Sequence, residues 1–167
     1  MAEIVPFIFY PDQRLSQAAG FRPVDAELLA IGARLLAAGK SAKAYGLAAA
    51  HIGVVAPVAL ISIGEPSSRD YRVLYNPRII STDGAQEAGL EGSVSMPGIE
   101  VEVLRPANAR IGFDDATGQG QELTLSGFAA RVAQHEIDQV NGVFFLARIS
   151  RLKREAAIRR FAKLNRH

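Results

Sequence analysis

An α+β fold follows from three observations on the chain: an amphipathic helical pattern near the N-terminus, a central run of short apolar or alternating segments punctuated by turn residues, and two more helical patterns at the end. Helix first, strands next and helices last favours antiparallel sheets packed around a buried helix over an alternating parallel sheet. At 167 residues, 49% hydrophobic and 22% charged, the chain can bury one core. No linker, repeat or low-complexity tract divides it, so residues 1–167 read as a single domain.

Asp25 can cap a helix running to about Ala38, with Leu28, Leu29, Leu35 and Leu36 facing a core and Gly39 as the stop. Val58 to Ile63 is an apolar strand, Tyr71 to Tyr75 a second, and Arg78 to Ile80 leads into a turn at Thr82-Asp83-Gly84. Ile99 to Leu104 alternates apolar and polar residues, as a half-buried strand does. Arg110 to Phe113 and Glu122 to Leu125 flank the turn Asp114-Asp115-Ala116-Thr117-Gly118. Ser126 and Gly127 start a helix over 128–141 whose apolar stripe is Ala129, Val132, Ala133 and Ile137, and Asn141-Gly142 stops it. Leu152, Ala156, Ile158, Phe161 and Ala162 then recur at helical spacing, which predicts a C-terminal amphipathic helix with a basic face.

Composition narrows the function classes. The chain has no cysteine, which excludes disulfides and thiolate chemistry. No apolar run reaches the length of a membrane span, and Met1-Ala2-Glu3-Ile4 lacks the basic start of a secretory leader, so a cytoplasmic protein with no membrane partner is expected. The formal charge of +2 is unevenly spread. Arg148, Arg151, Lys153, Arg154, Arg159, Arg160, Lys163 and Arg166 stand against Glu155 alone, which is either a solvated helix face or a surface for phosphate.

The helix over 128–141 carries the chemistry. His135-Glu136-Ile137-Asp138-Gln139 is the metal-hydrolase pattern H-E-x-x-H with its last histidine replaced. In the intact pattern, histidines at i and i+4 share a helix face, bind a metal, and hold the glutamate beside a metal-bound water. Gln139 offers only a neutral amide oxygen, a weak ligand for zinc or iron. Of the other histidines, His51 is available and His167 is the last residue of the sequence. Asp138 and Arg105 are candidates for an ion pair that orients the helix or lies on the surface.

Ala44-Tyr45-Gly46-Leu47-Ala48-Ala49-Ala50-His51, Glu91-Gly92-Ser93-Val94-Ser95 and Gln134-His135-Glu136-Ile137-Asp138-Gln139-Val140-Asn141-Gly142 resemble, in order and spacing, the motifs G-x-G-L-A-A-x-Q, E-G-C-L-S and Q-H-E-x-D-H-x-x-G of peptide deformylases. The likeness spans nearly the whole chain. It implies a metal-dependent hydrolase that removes the formyl group from the N-terminal methionine of nascent polypeptides, with zinc or iron as the divalent ion. By position, the family's metal ligands fall on Ser93, His135 and Gln139, the general acid/base on Glu136, the carbonyl-polarising glutamine on His51, and the oxyanion-binding backbone N–H on Val94. Gly46 and Leu47 fall on the edge where substrate peptide pairs as an extra strand. Family members similar to this chain also use a basic C-terminal helix to contact the ribosome, which here points to residues 148–166.

Only His135 survives of the three ligands, and a serine hydroxyl is not ionised near neutral pH. Set against a structural zinc site worth roughly 10–16 kcal/mol in total, the loss of two ligands implies a metal bound weakly or not at all. The departures also have the form of an exchange, with histidine where the family has glutamine and the reverse. Two readings follow. In one, His51 and His135 ligate an ion with Ser93, Glu91 or water, while Gln139 binds the substrate carbonyl. In the other, deformylation is lost or strongly reduced and the cleft binds nascent-chain N-termini without chemistry.

Overall fold

The computed structural model describes residues 7–165, so Met1 to Ile4, Arg166 and His167, which entered the sequence readings, lie outside the described residues. The architecture is α+β. Helix α1 (Ala26–Ala42) precedes strands β1 (Gly46–Ala48), β2 (Val58–Ser62), β3 (Tyr71–Glu91), β4 (Val101–Asp114) and β5 (Gly120–Ser126), followed by helices α2 (Gly127–Val140) and α3 (Arg151–Leu164). The strands form one antiparallel sheet in chain order, β1 to β5, where the sequence suggests more than one sheet.

Strand β2 shows why the layers pack as they do. All five of its residues are buried. Val58 and Leu60 join Leu28, Ile31 and Leu35 of α1, whereas Ile61 joins Ala130, Ala133 and Ile137 of α2. Side chains alternate along a strand, so a continuous apolar run requires a helix on each face of the sheet. The two helices are α1 and α2. A third cluster packs Ala157 and Phe161 of α3 on Val101, Val103, Phe144 and Phe145.

Several expected boundaries move, each for a physical reason. Asp25 caps α1 by accepting the Leu28 N–H at 2.8 Å, as its residue type predicts. Gly39, expected as the stop, lies inside the helix, where an added Cβ would come within 2.3 Å of Leu60 Cδ2. It permits close helix–sheet approach, and Lys43 (φ 53°) ends the helix instead. The turn expected at Thr82-Asp83-Gly84 is absent. Thr82 and Asp83 pair with Ala109 and Asn108, and the ladder shifts register between Asp83 and Gln86, where Gly84 has φ 83°. The turn residues there make a β-bulge, and β3 continues. In α3, Leu152 (74% exposed), Ala156 and Ala162 face solvent; Ala157, Phe161 and part of Ile158 make the buried stripe.

Gly142, just past α2, fixes how the chain leaves the helix. Its φ is +80°, and a Cβ there would lie 2.7 Å from Ala18 N and 2.9 Å from Gln17 C, both backbone atoms. Gly142→Ala is expected to lower stability by at least about 2 kcal/mol, from strain and overpacking together. The measurement is a urea midpoint, and an unchanged midpoint would mean that the 16–18 segment yields freely.

Candidate active-site cleft

A cleft of about 960 Å³ opens between β1, the 92–100 loop, α2 and the last turns of α3. Helix α2 lines it with Phe128, Arg131, Val132, His135 and Glu136, a run at i, i+3, i+4, i+7 and i+8 that marks one helix face. Gly46, His51, Ser93 and Val94 also line it, so most of the residues singled out in the sequence share one cavity. Leu47 and Gln139 do not. Leu47 is fully buried in the α1 cluster, leaving its backbone as its contribution to the β1 edge. Gln139 is 1% exposed and its amide donates to the Leu15 carbonyl at 2.7 Å, which turns that donor away from the cleft.

Glu136 depends on Gly46. An added Cβ at Gly46 would sit 2.9 Å from Glu136 Cγ and Oε2, so only glycine leaves room for this carboxyl beneath β1. Glu136 Oε1 is buried and has no hydrogen-bond partner among the described residues. Burial raises its carboxyl to about 7; the His135 charge pulls the other way, and the nearby Glu91 charge adds to the rise.

His51 is held by the short helical turn Ala49–Ile52, and its ring accepts the Ala48 N–H at Nδ1 (2.9 Å). A backbone N–H can donate only to an unprotonated nitrogen, so neutral His51 carries its proton on Nε2. Burial, then the charge on His135, lowers this imidazole to about 3, so it stays neutral. Nε2 lies 3.5 Å from Ser93 Oγ, which itself accepts the Ser95 N–H at 3.1 Å. Glu136 Oε1 is 3.8 Å from His51 Nδ1, beyond hydrogen-bond reach.

His135 pairs through Nδ1 with Glu91 Oε1 at 2.8 Å. Glu91 also accepts from Arg105 Nε (2.6 Å) and Nη2 (2.9 Å) and from Arg131 Nη1 (2.7 Å). Arg105 continues to Asp138 at 3.0 Å, and Arg148 closes on Asp138 at 2.7 Å. The Arg105–Asp138 pair is therefore a buried link in a network, not a surface pair. Burial alone would raise Glu91, but hydrogen bonds and charge from His135 and Arg105 win and hold it at about 2. Burial alone would lower His135, but the Glu136 charge and the Glu91 hydrogen bond win and raise it.

The donor set does not fit a divalent metal. His51 presents N–H to the cleft and no lone pair, Gln139 lies outside the cleft lining and has only a neutral amide oxygen to offer, Glu91 is saturated by four donors, and Ser93 offers a neutral hydroxyl. With Nδ1 paired to Glu91, His135 Nε2 is the remaining nitrogen lone pair in the set. Among the described residues no three His, Cys, Asp or Glu side chains group to hold an ion. A site in which His51 and His135 ligate an ion with Ser93, Glu91 or water would require His51 to release the Ala48 N–H or turn its ring, and Glu91 to give up one of its four donors.

Arg131, Arg160 and Lys163 line the cleft and were not singled out as site residues. Arg131 was legible, since it lies one turn before His135 on the same helix face. Arg160 and Lys163 were not, because only the docking of α3 brings them there.

A buried helix that presents His-Glu into a cleft beside a free strand edge defines a hydrolase scaffold suited to an extended peptide. The polypeptide deformylase family model matches residues 4–155, and the chain belongs to the peptide deformylase family. It is 39% identical over 98% of its length to a "Peptide deformylase-like" protein of Bradyrhizobium diazoefficiens, covering 95% of that protein. It is 37% identical over 96% of its length to one of the same description from Rhizobium meliloti, covering 93% of it. The peptide deformylase of Ehrlichia chaffeensis in complex with actinonin superposes with TM-score 0.88 at 26% identity, covering 99% of this chain and all of that one. The family uses a divalent metal and acts on formylated N-termini of nascent chains. No helix among the described residues is long and apolar enough to cross a membrane.

Glu136 gives the site a pH signature. Below about pH 4.5 its carboxyl is protonated in both folded and unfolded chains. As pH rises toward 7 the unfolded chain ionises first, so folding loses stability, and above 7 the cost is constant. The gap corresponds to about 3 kcal/mol. Glu136→Gln is expected to gain stability over wild type by up to about that amount between pH 4.5 and pH 8. Urea unfolding across that range checks it, and a difference that does not vary with pH contradicts it.

Proposed function

We propose that this chain holds the N-terminal segment of nascent polypeptides in its cleft without metal-dependent removal of the formyl group. The observation that carries the reading is His51, whose Nδ1 accepts the Ala48 N–H and whose Nε2 therefore presents a donor to the cavity in place of a ligand lone pair. The reading separates two halves of the family's chemistry. Carbonyl recognition persists, with His51 Nε2–H and the Val94 N–H as donors and the β1 edge at Gly46 and Leu47 as the pairing strand. Activation of water does not persist, because Glu136 without a bound ion has no acidified water from which to take a proton.

Purified wild-type protein is expected to bind a formyl-Met peptide, contain no stoichiometric metal and release no formate. Restoring the family's residues with Ser93→Cys, Gln139→His and His51→Gln together is expected to bring in about one zinc, iron or nickel ion per chain and to release formate. Elemental analysis and a formate assay read both. Stoichiometric metal with formate release in wild type would overturn the reading.

The outward side of α3 supports ribosome contact as a second component of the same role. Arg148, Arg151 and Arg154 are engaged with Asp138, Glu155 and the Leu146 carbonyl, while Lys153 and Arg159 are exposed with no ion-pair partner among the described residues. Ribosomal RNA phosphate is the ligand proposed for these two. Lys153→Glu with Arg159→Glu is expected to weaken co-sedimentation with ribosomes several-fold at low salt, and unaltered co-sedimentation counts against it.

A further inference from the structure

Helix α3 turns a second basic edge inward. Arg160 and Lys163, one turn apart, line the cleft together with Leu164. The helix end is seated on the loop that carries Ser93 and Val94: a Cβ added at Gly98 would meet Leu164 Cδ1 at 2.9 Å. Arg160 and Lys163 are exposed, whereas His51 and Glu136 are 1% and 5% exposed, so the cations stand at the mouth and the recognition groups at the floor. Neither cation has an ion-pair partner among the described residues. The other acids of the lining are Glu91, consumed by its network, and Glu100, a single exposed charge on the same rim. Glu136, whose buried Oε1 has no hydrogen-bond partner among the described residues, lies at the floor.

We propose that this cleft selects N-terminal peptides that carry a carboxylate beyond their first residue, and that Arg160 and Lys163 are the specificity-determining residues. The proposal rests on the reading of the cleft as an N-terminal peptide site. A peptide whose first residue reaches the floor runs outward at about 3.4 Å per residue, so its following side chains pass the mouth. Two unpaired cations against one glutamate give that mouth a net positive field, and exposed complementary charges act chiefly on selection among partners. Phosphate of ribosomal RNA is the rival ligand for the same two side chains, but their place in a concave wall beside Leu164, Gly98 and Val94 suits a slender chain better than a duplex surface.

The test compares four peptides on the full chain: formyl-Met-Ala-Asp-Asp amide, its Asn-Asn and Lys-Lys counterparts, and formyl-Met-Ala-Asn-Asn with a free C-terminal carboxylate. Wild type is expected to bind the Asp-Asp peptide about tenfold more tightly than Asn-Asn at low salt, with Lys-Lys weakest, and the preference should shrink as salt is raised. The free-carboxylate peptide tells whether a terminal carboxylate serves as well as side chains. Arg160→Gln with Lys163→Gln should erase the ranking, the double change to glutamate should invert it, and Glu100→Gln should enhance it. All these positions are exposed, and an unaltered thermal midpoint confirms an intact fold. Equal binding of all four peptides by wild type overturns this inference and leaves the peptide-binding reading standing. Failure of every peptide to bind overturns both. A ranking that survives the double glutamate variant while its ribosome co-sedimentation falls assigns the pair to RNA and overturns the inference.

Discussion

The carboxylate of Glu91, at the end of β3, receives donors from three directions: the Nε and Nη2 edge of the Arg105 guanidinium on β4, Arg131 from one turn of α2, and His135 from the next. Its side chain is 4% exposed, as is that of Arg105. A lone charge at that depth would carry a desolvation cost of several kcal/mol, and a network with every lone pair occupied offsets it. The sheet and the motif helix are thereby held in one register, because moving either would strip a donor from the buried carboxylate. Asp138, one turn beyond Gln134 on α2, extends the same lock through Arg105 to Arg148.

That lock also determines what the cleft can do. Glu91 has no capacity left to bind an ion, and its hydrogen bond orients His135 and makes it more basic. In a metal site the same carboxylate–histidine arrangement would strengthen a ligand. The supporting bonds of the motif helix are thus in place, while His51 gives its Nδ1 lone pair to the Ala48 N–H and the Gln139 amide N–H anchors the helix to the Leu15 carbonyl.

Helix α3 divides its basic residues by the partners the fold gives them. Arg154 is consumed in holding the helix to the Leu146 carbonyl, Lys153 and Arg159 are exposed, and Arg160 and Lys163 line the cleft. A helix packed through only Ala157, Phe161 and part of Ile158 leaves most of its circumference available, so one element can serve two surfaces.

Local signals in the sequence determined the helices, the family and the convergence of His51, Ser93, His135 and Glu136 on one cleft. Asp25 caps α1 through its own side chain, the spacing of His135 and Glu136 places them on one helix face, and the three motifs converge on one cleft. Arg131 was readable by the same spacing. Strand lengths were not, since Thr82-Asp83-Gly84 has turn chemistry that the β3–β4 ladder absorbs as a bulge. Gly39 looked like a stop because its closeness to Leu60 is a contact between distant parts of the chain. The exchange of histidine and glutamine was visible as letters, but which lone pair His51 retains depends on a backbone N–H that only the folded loop brings to Nδ1. Residue type and spacing bring the motif residues of α2 to one face; the docking of α3, burial and hydrogen-bond direction are long-range facts, and they decide that Arg160 and Lys163 join the cleft, that Gln139 does not, and which lone pair His51 keeps.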